Sequence, residues 1–182
     1  MLRTLFALLL LMAPLLAATA AAADAADAQP RDLAWEQMIP PDAPKLKPQP
    51  APIHNLSGMS DALSAESAPA AKQQSPSAPV VKSLNGQHIR LPGYIVPLEV
   101  TEEGRVTEFL LVPYFGACIH VPPPPSNQIV YVTSKVGVKL DELYQPYWIE
   151  GSMKVESSTS ELADAGYKMA AEKIYAYELP DS

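Results

Sequence analysis

Four consecutive prolines, Pro122 to Pro125, constrain this chain more than any other feature. Proline has no amide hydrogen to donate, so the run cannot lie inside a strand ladder or a helix. It predicts a stiff, water-exposed polyproline II arm of roughly 12 Å. The arm fixes the exit of the segment before it, Gly116-Ala117-Cys118-Ile119-His120-Val121. Cys118 is the only cysteine, so an intrachain disulfide is excluded. If that segment is extended, side chains alternate between faces, and Cys118 and His120 point the same way. A thiolate and an imidazole together are two of the ligands that zinc or copper takes.

Turn punctuation around the prolines predicts an all-β domain over residues 80–182. Val80 to Leu84 reads as a strand running into a tight hairpin at Asn85-Gly86. Gln87 to Val100 reads as a strand pair or one bent strand, interrupted by Pro92-Gly93 and Pro97. Further strands are expected over Thr107–Tyr114, Gln128–Ser134, Tyr147–Glu156 and Tyr167–Leu179, with a helical turn over Asp141–Tyr144 and a loop over 157–166. Short strands at this spacing suggest a small OB-like barrel, with a small β-sandwich as the alternative. Gly151 falls inside a strand and predicts a bulge or sharp bend there.

The preceding region is compositionally different. Residues 24–79 are rich in Ala, Pro, Ser and Gln, too poor in apolar surface to offset the entropy of ordering, and read as a mostly disordered linker. One island, 32–42, stands out through Leu33, Trp35, Met38 and Ile39. We read it as a docking segment in which Asp32 caps a helical turn ended by Pro40 and Pro41 and Trp35 packs on the main domain. The competing reading is a free segment that meets a partner protein. Residues 1–23 have the pattern of a cleaved signal peptide: Arg3, an apolar run from Leu5, then small residues ending at Ala23. A retained anchor is the alternative, but the apolar run falls short of the ~20 residues of a spanning helix and contains Pro14. The expectation is a periplasmic protein that is not an integral membrane protein once processed. Its formal net charge of -7, with no basic run, argues against nucleic acid as a partner.

The stretch Phe109 to Val132, FLLVPYFGACIHVPPPPSNQIVYV, resembles that of an uncharacterised bacterial family of exported proteins, a domain of unknown function. The resemblance also covers Asp32–Pro40, Leu84–Glu99, Pro146–Glu156 and Ala165–Glu178. It carries Cys118, His120, Pro122, Pro123, Pro124, Asn127 and Gln128, whereas His54 and His88 lie outside the motif. Members of that family resemble periplasmic accessory components encoded near lipoprotein-release-type ABC transporters and zinc-uptake genes. The resemblance therefore implies metal supply or envelope transport.

Four readings of the Cys118 region follow. Metal binding needs more ligands than Cys118 and His120; His88, Glu99, Glu108, Met153 or a partner protein are the candidates. A structural reading makes Cys118 a buried inert residue and His120 a hydrogen-bonded edge residue. Catalysis would make Cys118 the nucleophile and His120 its base, with Asn127 as the nearby orienting amide. Protein binding would use Trp35, the arm Pro122, Pro123, Pro124 and Pro125, and Asn127 and Gln128. The aromatic set Tyr114, Phe115, Tyr144, Tyr147 and Trp148 would add anchors. The combined expectation is an exported, non-enzymatic accessory or adaptor protein of an envelope ABC-type transport system, linked to zinc or copper handling. A thiol-dependent enzyme and a purely structural binding module are the alternatives.

Overall fold

The computed structural model describes residues 29–44, 72–118 and 122–178. Five strands close a barrel in the order β2 (His88–Val100), β3 (Arg105–Val112), β4 (Val130–Lys139), β8 (Tyr167–Ala176), β5 (Tyr147–Lys154), and β5 returns to β2. All neighbours are antiparallel except β4 and β8, which run parallel from Val130↔Tyr167 to Ser134↔Ala171. This closed five-stranded arrangement bears out the OB-like expectation and leaves no second sheet for a sandwich. A short hairpin, β6 (Ser158–Thr159) with β7 (Asp164–Ala165), packs outside.

One strand serves two neighbours. The first half of β2, His88 to Gly93, pairs with β5, and the second half, from Tyr94, pairs with β3. The corner falls at Gly93, where a Cβ would sit 2.8 Å from the Val112 carbonyl oxygen. Pro97 borders a register shift in the β2–β3 ladder, a place where a missing donor does little harm. The 13 residues are therefore one bent strand. Gly151 likewise meets a register shift opposite Ala171, and a side chain there would fall on the Ala170 carbonyl.

Alternation explains the interior. Ile89, Leu91, Ile95, Phe109, Leu111, Val130, Val132, Ile149, Met153, Tyr167 and Met169 form the buried barrel core. The unbroken run Phe109-Leu110-Leu111-Val112 is buried on both faces, because a second cluster lies outside the barrel. There Leu110 and Val112 meet Val96, Ala117, Ile129, Ala163 and Ala165. The lid over this outer cluster is made by the β3–β4 connection and by β7.

Several local expectations differ from the structure. Lys82–Leu84 is a 3-10 turn and not a strand, and Asn85-Gly86 turns the chain into β2 without a preceding hairpin arm. The Val81 amide donates to the Tyr167 hydroxyl instead of to a ladder, and Leu84 is buried against the core. The loop expected over 157–166 contains the β6–β7 hairpin. Asp32 does not cap the turn Trp35–Met38; Ala34 stands there, and Asp32 is ion-paired with Arg90.

The segment 31–38 does dock. β1 (Arg31–Asp32) pairs in parallel with Ile89 and Arg90 of β2. Leu33 and Met38 are buried in the barrel core, and the Trp35 indole N–H donates to the Pro92 carbonyl at 2.7 Å. No described helix is long and apolar enough to cross a membrane. The segment 1–23, expected to be a signal peptide, and most of the expected linker lie outside the described residues.

Candidate functional site

The connection from β3 to β4 carries the expected site. After Val112 the chain turns sharply, and both Gly116 (φ 80°) and Cys118 (φ 67°) adopt left-handed backbone. For a residue with a Cβ this costs roughly 1–2 kcal/mol, which neighbouring packing must offset. The neighbour is Ala117, fully buried in the outer cluster. Cys118 thus lies in a turn and not on an extended strand. The alternation that would align it with His120 does not apply, and His120 itself lies outside the described residues.

The Cys118 side chain is half-buried against the outer cluster. Burial pushes its thiol up to about 11. At neutral pH the group is a protonated thiol, whereas a nucleophile or a metal ligand has to be a thiolate. The other candidate ligands lie in other surroundings. His88 Nε2 is buried between two carboxylates, 3.2 Å from Glu172 Oε2 and 3.9 Å from Glu150 Oε1, and makes no hydrogen bond among the described residues. Glu108 accepts from the Tyr131 hydroxyl, whose pKa is raised to about 12 by that bond. Glu99 lies opposite Glu108 in the β2–β3 ladder, and Met153 is sealed in the barrel core. Among the described residues no three His, Cys, Asp or Glu groups gather around a point that could hold a metal ion. These donors do not fit a closed zinc or copper site, which takes about four ligands.

The proline arm is not water-exposed as expected. Pro123 and Pro124 are buried, and only Pro122 and Pro125 are partly exposed. Proline loses its donor but keeps its acceptor, and a strap of chain, residues 72–79, uses that acceptor. Gln73 Nε2 donates to the carbonyls of Pro124 (2.9 Å) and Asp164 (2.8 Å), while the Asp164 amide donates to Gln73 Oε1 at 2.8 Å. Ser126 accepts from the Ala78 amide through Oγ at 2.9 Å and from the Gly166 amide through its carbonyl at 2.7 Å. This part of the Ala- and Pro-rich region is therefore packed on the barrel.

Other residues expected to meet a partner tie the chain to itself. Asn127 is 4% exposed, and its amide donates to the Pro79 carbonyl at 2.8 Å. Gln128 Nε2 donates to the Trp35 carbonyl at 2.9 Å. Trp35, Asn127 and Gln128 thus join the N-terminal segment, the strap and the start of β4. Their positions are internal ones, because buried amides and an indole N–H need protein acceptors.

The aromatic set divides. Tyr147 is buried, its hydroxyl donating to the Glu142 carbonyl at 3.0 Å. Tyr144 is exposed on the turn before β5. Tyr114 and Phe115 project from the Cys118 loop, 41% and 62% exposed. Phe115 packs edge-on to Tyr94 with ring centroids 5.7 Å apart, and the Tyr114 hydroxyl lies 3.4 Å from the Pro122 carbonyl. This exposed aromatic ridge is rooted in the outer cluster through Tyr94 and Ala117.

A second polar and aromatic surface escaped sequence reasoning. Arg90 lies 4.7 Å from the Trp148 ring centroid, pairs with Asp32, and donates to the Tyr175 hydroxyl at 3.2 Å. Trp148 also packs against Tyr177 at 5.2 Å. Beside it, Glu150 is 5% exposed and held by Lys173 at 2.8 Å. Alternation along β8 puts Lys173 and Tyr175 on the face of the buried Met169, and the register shift between Glu150 and Gly151 brings them instead to the face of Trp148 and Glu150. Barrel register alone brings them together with Arg90.

The family model described as "Protein of unknown function (DUF3299)" matches residues 35–176. A crystal structure of a DUF3299 family protein from Pseudomonas aeruginosa PAO1 shares 63% sequence identity and superimposes with a TM-score of 0.72, covering 84% of this chain and 99% of that chain. No curated protein matches. The matched span starts at the docked Trp35 and ends with the last barrel strand, so it takes in the whole barrel and the second half of the docked N-terminal segment, and the chain belongs to the DUF3299 family.

Proposed function

We propose that the protein is an exported, non-enzymatic docking component acting with an envelope transport system of the ABC type, in the periplasm. The observation that carries this reading is the exposed pair Tyr114 and Phe115, on a loop backed by buried prolines and by the partly buried Tyr94 of β2. Aromatic side chains with few rotatable bonds, held on a stiff support, make strong interface anchors. The raised thiol pKa of Cys118 weighs against the thiol-enzyme alternative, since burial disfavours the nucleophilic form. A zinc or copper role would draw on Cys118 and His120 together with ligands from a partner.

The test is a photo-crosslinking residue at position 115 of the full chain, expressed in its own bacterium. The expected result is an adduct with an inner-membrane transport protein, formed by a chain whose N-terminus begins at or near residue 24. A chain found in the cytoplasm, or one that forms no adduct, overturns the reading. Metal content of the purified mature chain tests the metal part separately: sub-stoichiometric zinc and copper, unchanged by Cys118→Ser, removes it.

A further inference from the structure

The barrel closes over only part of its height. Between β4 and β8 the ladder ends at Ser134↔Ala171, yet β8 continues to Ala176, still paired with β5 on its other side. β4 leaves because it bulges. Four of its residues, 134–137, lie between the pairs Glu108↔Thr133 and Val106↔Val138, opposite the single residue Thr107. Gly137 takes φ 68° there, and the Arg105 guanidinium clamps the bulge by donating to the carbonyls of Val136 (2.5 Å) and Gly137 (2.6 Å). The result is a cleft of about 440 Å³ between β4 and β8. Its wall on one side is the strand edge at Glu172, Lys173 and Ile174, part of the stretch 172–176 that has no neighbour on β4.

A strand edge with free backbone groups is matched best by another extended backbone. The rim suits one. Val136 stands at the opening, 71% exposed, an apolar side chain that an added strand would cover. The charge is also particular. On a chain of net charge -7, the cleft carries Arg105, Lys139 and Lys173 against Glu142 and Glu172. Lys139 and Lys173 are paired with Glu142 and Glu150, while Arg105 meets only backbone carbonyls there.

We propose that this seam takes an extended segment of a partner polypeptide, added alongside residues 172–176 of β8. An apolar side chain of the segment lies on Val136, and an acidic residue faces Arg105 and Lys139. The seam is separate from the Tyr94–Phe115 ridge and does not depend on the function proposed for it.

The test pans the mature full chain against a phage library of random linear peptides and studies one selected peptide as a synthetic probe. Selected sequences should alternate apolar residues around an acidic one. Binding should slow hydrogen exchange of backbone amides within residues 172–176 by about tenfold or more, the mark of new main-chain hydrogen bonds. The pair Val136→Asp with Lys139→Glu, both at exposed positions, should weaken the peptide at least about tenfold at an unchanged melting temperature. Four results overturn the proposal: a library without binders, amides 172–176 fully protected before peptide is added, binding indifferent to the paired substitution, or a peptide that maps to Tyr94 and Phe115. The last would favour the ridge as the docking surface.

Discussion

Tyr167 shows how much one side chain can organise here. Its ring is fully buried, its hydroxyl donates to the Met38 carbonyl at 2.8 Å, and it accepts from the Val81 amide at 2.7 Å. One oxygen thus joins β8, the N-terminal segment and the turn before β2. Tyr167→Phe keeps the packing but leaves a buried acceptor and a donor unmatched. We expect a loss of about 1–3 kcal/mol, read by urea denaturation. Cys118 gives a pH prediction. Its folded pKa is raised above the ordinary thiol value of 9.0 to about 11, so the native state holds the proton more tightly than the unfolded chain. The stabilising effect is complete below about pH 9 and is lost as pH rises through about 11. Alkylation by iodoacetamide should be slow at pH 7 relative to a free thiol and should accelerate across that same alkaline range. Fast labelling at neutral pH would refute the desolvated placement, and Cys118→Ser should reduce the loss of stability between about pH 9 and 11.

At the scale of elements, two ordered pieces of a low-complexity region hold the barrel shut from outside. The first is the latch 31–38, fastened by Leu33, Met38 and the Trp35 indole. Trp35→Ala removes a half-buried ring and its hydrogen bond, and we expect about 2–3 kcal/mol of destabilisation. Limited proteolysis should then cut first within residues 29–44, with the barrel strands surviving longer. Simultaneous cleavage of barrel and latch would show that no separable latch exists. The second piece is the strap 72–79, which covers the prolines through three hydrogen bonds of Gln73. Gln73→Ala should expose Pro124 and destabilise the hairpin β6–β7, seen as faster hydrogen exchange at Asp164 and its neighbours. Composition marked 72–79 as linker, because it has too few apolar residues to fold by itself, and set 32–42 apart as a docking segment. They order because the barrel offers acceptors and a partly apolar surface. For 31–38 the four apolar residues of the island were a sufficient signal; for 72–79 nothing local was.

For the whole molecule, barrel closure rests on the parallel β4–β8 pairing, between strands separated in sequence by the whole of β5. Such non-local pairing forms cooperatively, and the latch shares its core. Two tryptophans report on the two parts, Trp35 on the latch and Trp148 on the barrel wall. In a Trp148→Phe chain the remaining Trp35 fluorescence should lose its native signal at the same denaturant midpoint as far-UV circular dichroism. An earlier fluorescence transition would mean that the latch opens as a unit of its own.

The five barrel strands, the interruption at Pro92-Gly93 and the barrel class were readable from the chain, because alternation and the missing amide of proline act locally, between residues a few positions apart. The same local chemistry said that Pro122–Pro125 could not join a ladder. It could not say that Pro123 and Pro124 would be covered, that Cys118 would take a left-handed turn, or that Arg90 would lie over Trp148. Those outcomes depend on which strands become neighbours and in what register, and on a strap supplied from some 50 residues upstream. They were decided by long-range packing, where the contact that sets a side chain's environment comes from a part of the sequence that carries no mark of it.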